Sequence, residues 1–297
     1  MTGSVLTIGL SPAFEKVLVF PSLRENEVNR STFHTLSASG KAINVTRVLG
    51  KLGRTAVDIT QLGGPRVREF LALAEKENIR VRFVETDAET RVCTTLINEE
   101  KGTSTELVEE ANEVEVEVSE RMYSLFLDEI PHHSAVTVSG TKAKGFSDSL
   151  IPRIVGECGR RGVLTVLDIR GKDLLLSLEE RPSIIKPNIS EFCSTFSVSG
   201  DKAEIEVKTK EIYDTYGALT VITRGPEPSW CFDGKKFLEI ESPVKIEKAV
   251  NTIGCGDTLT GVLTHTLLLG RSLEEAVREG MAAATHKAEH RSFDLCL

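Results

Sequence analysis

Seven residues near the C-terminal end are the most chemically informative stretch of the sequence: Asn251-Thr252-Ile253-Gly254-Cys255-Gly256-Asp257. They run directly into a segment from Thr258 on which Leu259, Val262, Leu263 and Leu267 share one helical face. Two glycines flanking a small residue let the backbone approach a ligand closely, and the amides at a helix start face outward as an anion site. The helix macrodipole adds partial positive charge there, which would stabilise a transferring phosphoryl group as its charge redistributes. Asp257, in the first turn, stands beside that hole and can take the proton of an attacking hydroxyl. Read alone, the stretch is also compatible with a plain loop and an N-cap aspartate. A dinucleotide fingerprint needs a third glycine where Leu259 stands. A P-loop at Gly40-Lys41 fails because Thr35 replaces its first glycine and Ala42 its Ser or Thr.

Such a site needs a scaffold, and the sequence supplies one in the form of short β-branched apolar runs, each followed by a segment of helical periodicity. That alternation predicts an α/β fold with a mostly parallel central sheet flanked by helices. The runs are Val5 to Gly9, Ala135 to Ser139, Val163 to Asp168, Ser183 to Lys186 and Leu219 to Thr223. The helical segments include Asn44 to Leu52, Val67 to Glu77, Asp148 to Arg160 and Thr258 to Leu269, the last expected to pack on the sheet. Val17 to Leu36 and Arg91 to Leu107 break the alternation and read as short strands with polar breaks, a small sheet projecting from the main body. The acidic run Glu106 to Glu120 reads as a solvated approach to a helix.

At 297 residues with 40% hydrophobic content, the chain can bury the core of one large domain over 1–297. A net charge of −8 and the lack of a basic run argue against nucleic acid as a partner. Six scattered cysteines with no CxxC pair fit reduced thiols and a cytoplasmic location. No secretory signal is expected from Met1 to Val19, and no stretch of about 18 apolar residues suggests a membrane span. His286 and His290 have the spacing of helical metal ligands, but Lys287 stands where a zinc protease needs Glu, so a surface helix is expected. His132-His133, after Pro131, reads as a loop.

Asn251 to Asp257 resembles the C-terminal signature of the PfkB (ribokinase-like) carbohydrate kinases, (D/N/S)TxGAGD. Four further segments match in order. Leu10-Ser11-Pro12-Ala13-Phe14-Glu15-Lys16 resembles LNPALDK, and Ser39-Gly40-Lys41-Ala42-Ile43-Asn44-Val45 resembles GGKGINV. Glu89-Thr90-Arg91 resembles GETR, and Ile185-Lys186-Pro187-Asn188-Ile189-Ser190-Glu191 resembles IKPNxxE. With Glu27-Val28-Asn29-Arg30 added, the pattern is most similar to the branch containing 1-phosphofructokinase and tagatose-6-phosphate kinase.

The resemblance implies a ribokinase-like fold, with ATP and Mg2+ as cofactors and, in some relatives, a monovalent cation such as K+ near Asn251 and Ile253. It makes Asp257 the catalytic base and the amides of Gly254, Cys255 and Gly256 the anion hole. Lys186, Asn188 and Glu191 fall at the nucleotide, where an amide and a carboxylate can organise magnesium and its waters. Glu191 reads otherwise as a helix-first-turn carboxylate. Thr223 and Gly225, closing a strand, would line the same site. For the acceptor, the resemblance implies that Glu15, Gly40 and Asn44 contact sugar hydroxyls, that Arg91 faces the sugar phosphate and that Thr141 lies nearby. Arg30 and Lys41 are further phosphate candidates. Strands from about 14–37 and 90–108 would form a lid that excludes water, and in this family such lids commonly pair across a homodimer.

The sequence departs from the family pattern at several places. Glu15 stands for Asp, Ser39 and Ala42 replace glycines, and Ser139-Gly140-Thr141-Lys142-Ala143-Lys144-Gly145 lacks two prolines and gains two lysines. Cys255 replaces Ala, and a thiol at a helix N-terminus is expected to have a depressed pKa. The expected reaction is ATP-dependent phosphorylation of a phosphorylated ketohexose, fructose 1-phosphate first. Tagatose 6-phosphate, fructose 6-phosphate or another sugar are alternatives, and a non-catalytic sugar or nucleotide sensor is the rival from another class.

Overall fold

The computed structural model describes residues 3–290, and its centre is built from the uninterrupted apolar runs. Strands β1 (Val5–Gly9) and β8 (Ala135–Ser139) are buried at every position, as parallel strands covered on both faces must be. They sit mid-sheet in a nine-stranded order: β13 (Phe237–Ile240), β12 (Glu227–Phe232), β11 (Leu219–Arg224), β10 (Ile184–Ile185), β9 (Leu164–Asp168), β8, β1, β4 (Ala56–Gly63), β5 (Arg80–Thr86). Pairing is parallel from β11 to β5, and β12 and β13 add antiparallel. The chain runs outward from β1 to β4 and β5 on one side and returns through β8 to β11 on the other. The crevice beyond the carboxyl ends of β1 and β8 is therefore a topological switch point.

Strands β4 and β5 were not among the runs expected from the sequence. Asp58 and Gln61 interrupt the apolar character of β4, and β5 alternates charged with apolar residues as an edge strand does.

The lid is a second, four-stranded sheet in the order β3 (Phe33–Ser39), β2 (Ala13–Phe20), β6 (Arg91–Asn98), β7 (Thr103–Val108). Phe14 and Ala38, on one face, pack with Ile43 and Phe70, the Phe14 and Phe70 rings meeting edge to face at 5.4 Å between centroids. Glu15, Cys93, Glu106 and Val108 alternate onto the other face, which looks into the crevice. The acidic run is thus not one solvated stretch. Glu106, Leu107 and Val108 complete β7, while Val114 and Val118 are buried in the main core at the entry to α3 (Val118–Glu129). Val114 lies in the segment before the helix, its amide donating to the Lys144 carbonyl at 2.9 Å, and Val118 is the first residue of α3.

Helix α8 (Cys255–Leu268) follows the signature stretch. Leu259 and Leu263 pack on the sheet residues Val166, Ile184 and Val221 as expected. Val262 instead meets Val48 of α1 (Lys41–Lys51) and Ala283 of α9 (Leu273–Ala288), because α8 is sandwiched between the sheet and these two helices. Three of its buried threonines return their hydroxyls to the backbone one turn earlier: Thr258 to Gly254, Thr260 to Gly256 and Thr264 to Thr260, at 2.9, 3.0 and 2.8 Å.

His133 lies in the connection before β8, as a loop residue should, but its side chain is buried, with Nδ1 2.9 Å from Ser4 Oγ. His286 is exposed on α9, and the helix ends at Ala288, before His290. The five described cysteines are free thiols, and Cys296 lies outside the described residues. Among the described residues, no helix is long and apolar enough to cross a membrane.

Candidate active site

Lysine, glutamate and aspartate side chains are rarely buried without partners, and one crevice gathers several of them around one another. It is a cavity of about 720 Å³ at the carboxyl ends of β1, β8, β9, β10 and β11, roofed by the lid. Its floor is the loop that leads into α8. Gly254 adopts φ 83°, a left-handed conformation that favours glycine, and from it the chain turns into the helix. Asp257 then lies in the first turn, 5% exposed and facing the cavity.

Asn44, from α1, donates from Nδ2 to Asp257 Oδ2 at 2.7 Å. The amide orientation is fixed from behind, because Asn44 Oδ1 accepts from Arg47 at 2.6 Å and from Ser39 Oγ at 3.3 Å. Arg47, itself buried, also donates to the Ala38 carbonyl at 2.6 Å and pairs with Glu77. Burial, aided by the nearby Asp168 carboxylate, raises the Asp257 pKa to about 6, against the opposing pull of Lys41, Asn44 and Lys186. A carboxylate at that value is ionised at neutral pH and is a stronger base than an ordinary aspartate, as a proton acceptor needs to be.

Two lysines converge opposite it. Lys186, 2% exposed, pairs with Asp168 Oδ2 at 3.2 Å, and Thr260 donates to the same oxygen at 3.2 Å. Lys41 lies 3.8 Å from Asp168 Oδ1 and 4.0 Å from Glu191 Oε1. Asp168 raises the Lys41 pKa above its ordinary value; burial opposes this, and Asp257 and Glu191 add to the rise, so Lys41 is a fixed cation. Burial acts to raise the Asp168 pKa, but Lys186 and Lys41 outweigh it and hold the group ionised. Two cations therefore line a cavity beside helix-start amides, a geometry suited to phosphate. A Cβ added at Gly256 would lie 3.9 Å from Lys186 Nζ, so that ammonium and the first turn of α8 share one anion position.

Asn188 and Glu191 form a capping box at the start of α6 (Ile189–Phe196). Asn188 Oδ1 accepts from the Glu191 amide at 2.9 Å, and Glu191 Oε2 accepts from the Asn188 amide at 3.0 Å. Oε1 of Glu191 stays directed to the cavity side, where Lys41 lies. A single carboxylate oxygen beside a phosphate site fits magnesium, which keeps most of its waters and takes few protein ligands. Glu191, with Asn188 through water, would hold the ion, which supplies charge neutralisation at the nucleotide phosphates when bound.

Of the residues singled out from the sequence, Glu15, Gly40, Lys41, Asn44, Arg91, Thr141, Lys186, Asn188, Glu191, Thr223, Gly254, Gly256 and Asp257 all line this cavity. Gly40 has φ 119°, and a Cβ there would come within 3.2 Å of the Pro12 backbone. Arg91 is anchored to the carbonyls of Glu109 and Ser11, at 2.7 and 3.4 Å. The substituted positions line the cavity as well: Ser39 Oγ donates to Glu15 Oε2 at 3.2 Å, and the Ala42 methyl lies beside Gly9. Lys142 is held by Asp148 and Asp173, at 2.7 and 2.6 Å.

Three singled-out residues do not join the lining. Arg30 is exposed on the connection between β2 and β3, and Gly225 turns beyond the strand end. Cys255 is turned aside, its amide donating to the Thr252 carbonyl at 3.2 Å. The Cys255 thiol departs from the depressed pKa expected of it: burial pushes its pKa above the ordinary value, Lys287 opposes this, and Asp257 adds to the rise, so the helix start does not activate it. Asp168, Arg170 and Glu106 line the cavity and were not singled out. The signal for the first two was the end of an expected parallel strand at Asp168-Ile169-Arg170.

The model of the pfkB family carbohydrate kinases matches residues 5–297. The chain belongs to that family. This pfkB kinase is 27% identical over 282 residues to a tagatose-6-phosphate kinase of Staphylococcus epidermidis, covering 94% of this chain and 90% of that protein. Among solved structures it is similar to phosphofructokinase-2 from Escherichia coli in complex with potassium, with a TM-score of 0.89, 23% identity and coverage of 99% and 95% of the two chains. A protein described as a possible 1-phosphofructokinase from Thermotoga maritima gives a TM-score of 0.89, 21% identity and coverage of 98% and 94%. The fold is thus ribokinase-like, and the enzyme is a phosphotransferase acting on a carbohydrate.

Proposed function

We propose that this pfkB kinase transfers the γ-phosphoryl group of ATP to a hydroxyl of a phosphorylated ketohexose, with fructose 1-phosphate as the leading acceptor and fructose 1,6-bisphosphate as product. The observation that carries the reading is Asp257, raised to about 6 and held by Asn44 at the mouth of the α8 amides, with Lys41 and Lys186 beside it. Asp257 accepts the acceptor hydroxyl proton, while Gly254, Gly256, Lys41 and Lys186 hold the phosphoryl oxygens. Glu15 and Arg91 meet the sugar hydroxyls and its phosphate, ATP lies toward Thr223, and the lid keeps water from competing as acceptor.

Tagatose 6-phosphate is the second reading, favoured by the name of the Staphylococcus epidermidis relative. ADP release with magnesium-ATP across fructose 1-phosphate, tagatose 6-phosphate, fructose 6-phosphate, fructose and ribose, with Asp257→Asn in parallel, separates the two. One phosphosugar turned over fast by the native enzyme and lost in the variant supports the reading; fastest turnover of an unphosphorylated sugar sinks it.

The proposal extends to a single ribokinase-like unit acting in the cytoplasm as a dimer paired through its lid. Val28, 84% exposed, with Phe33 and Leu107 supports the pairing, since these apolar side chains lie open on or beside the lid strands. Arg30, on the same connection, would then meet the phosphate only across such a pair.

A further inference from the structure

Behind the anion site, the loop 250–254 is clamped to the end of α9. The amides of Val250 and Asn251 both donate to the Ala288 carbonyl, at 2.7 and 3.0 Å. Lys287, 1% exposed, donates from Nζ to the Asn251 carbonyl at 3.1 Å. The Asn251 side chain accepts in turn from the Ile253 amide at 3.0 Å, one residue before Gly254. A single chain of bonds thus leads from the ammonium to the residue whose left-handed turn aims the α8 amides.

Burying an ammonium carries a desolvation penalty of several kcal/mol unless it is well paired. A lysine near a helix C-terminus gains from the macrodipole while remaining in water, so that effect does not require burial. The inward course of Lys287 is better explained by what it reaches. Its charge is felt at Cys255, Glu15 and Asp257, which places it under the catalytic floor. An ammonium and a potassium ion are similar in size, and both bind carbonyl oxygens. The Asn251 carbonyl, where a monovalent ion was expected, already accepts from Lys287, so this position does not fit a free ion.

We propose that Lys287 is a built-in monovalent cation: its ammonium holds the Asn251 carbonyl, and through it the loop presenting Gly254 and Gly256, so that turnover needs no free potassium. Lys287 is a positioning residue; the proposal rests on the kinase reading above but is read by a second, substrate-free signal.

The test compares the native enzyme, Lys287→Met, Lys287→Ala and Lys287→Arg in tetramethylammonium chloride and in equal concentrations of potassium, rubidium or ammonium chloride. Melting temperature is measured without substrates, and ADP release with the acceptor that the native enzyme uses. The native enzyme and Lys287→Arg are expected to show the same turnover and melting temperature in all four salts. Lys287→Met should lose about 10- to 100-fold in kcat, less than the loss of a direct oxyanion donor. Lys287→Ala should regain at least about fivefold with potassium or ammonium and rise in melting temperature with them, since an ion that binds only the folded state stabilises it. Potassium activation of the native enzyme, undiminished turnover in Lys287→Met, or a folded Lys287→Ala that no cation restores would each overturn the proposal. If the variants do not fold, the native enzyme's own potassium titration decides. If no acceptor supports ADP release, the kinase reading fails separately, and the melting temperatures of the native enzyme and Lys287→Ala still decide whether the ammonium replaces an ion.

Discussion

Asn44 Nδ2 and Asp257 Oδ2 lie 2.7 Å apart, although 213 residues separate them in the chain. That bond joins the helix after β3 to the helix after the glycine-rich loop, and it is the direct side-chain donor to the proposed base. The donor favours ionised Asp257, against burial, which favours the protonated form.

Replacing Asn44 by Ala is therefore expected to move the acidic limb of kcat/KM upward from about pH 6, by roughly half to one unit. The direction follows from losing a donor to the charged form, which leaves less of the base ionised at neutral pH. A pH profile of kcat/KM checks it; an unchanged limb with reduced kcat would mean that Asn44 acts only on the sugar. Glu77→Gln, which weakens the pairing that holds Arg47, should give a smaller shift of the same sign.

Asp257→Asn should abolish turnover yet stabilise the fold. The folded-state pKa, about 6, exceeds the ordinary aspartate value, so the folded protein binds the proton more tightly than the unfolded chain. Stability consequently declines as pH rises from about 4 to 6, and above that window the ionised group costs on the order of 3 kcal/mol. Asparagine keeps an oxygen for Asn44 and carries no charge. A higher melting temperature at pH 8, with the difference from the native enzyme shrinking toward pH 4, is the expected result. Equal melting temperatures at pH 8 would mean that the carboxylate is not penalised by burial.

The centre of the sheet was legible in the sequence because β1 and β8 are buried on both faces and therefore read as continuous apolar runs. Strands β4 and β5 were not, since Asp58 is buried in the first with Thr7 as its donor, and a pairing across the sheet leaves no local signal. Within the site, Asp257 and Lys186 stood out by their place in glycine- and proline-marked turns. Asp168 did not, because its role depends on two lysines more than a hundred residues and fewer than twenty residues away, brought together only by sheet order. The environment of Cys255 was misjudged for the same reason: position at a helix start is local, whereas the packing that buries the thiol is not.

Cys255 should react slowly with alkylating reagents at neutral pH. Burial raises its pKa, so the thiolate fraction is small and still growing at pH 9. Iodoacetamide labelling followed by mass spectrometry, with free glutathione as reference, should show a rate below that of glutathione at pH 7.5. Faster labelling than glutathione would restore the view that the helix start activates the thiol.

The two glycines of the loop should separate folding from catalysis. Gly254 has φ 83°, so Gly254→Ala forces a side chain into the left-handed region and is expected to lose about 1 to 2 kcal/mol of stability. Gly256 has an ordinary helical position, and a Cβ there meets nothing closer than Lys186 Nζ at 3.9 Å. Gly256→Ala should leave stability unchanged or raise it by about 0.5 kcal/mol. The new methyl would nonetheless occupy the place between Lys186 and the α8 amides where a phosphoryl group must lie, so kcat should fall by about 100-fold, as when an oxyanion donor is lost. Urea unfolding and steady-state ADP release on both variants give the comparison. A Gly256→Ala enzyme as active as the native one would move the phosphoryl position away from the start of α8, and the assignment of the anion site with it.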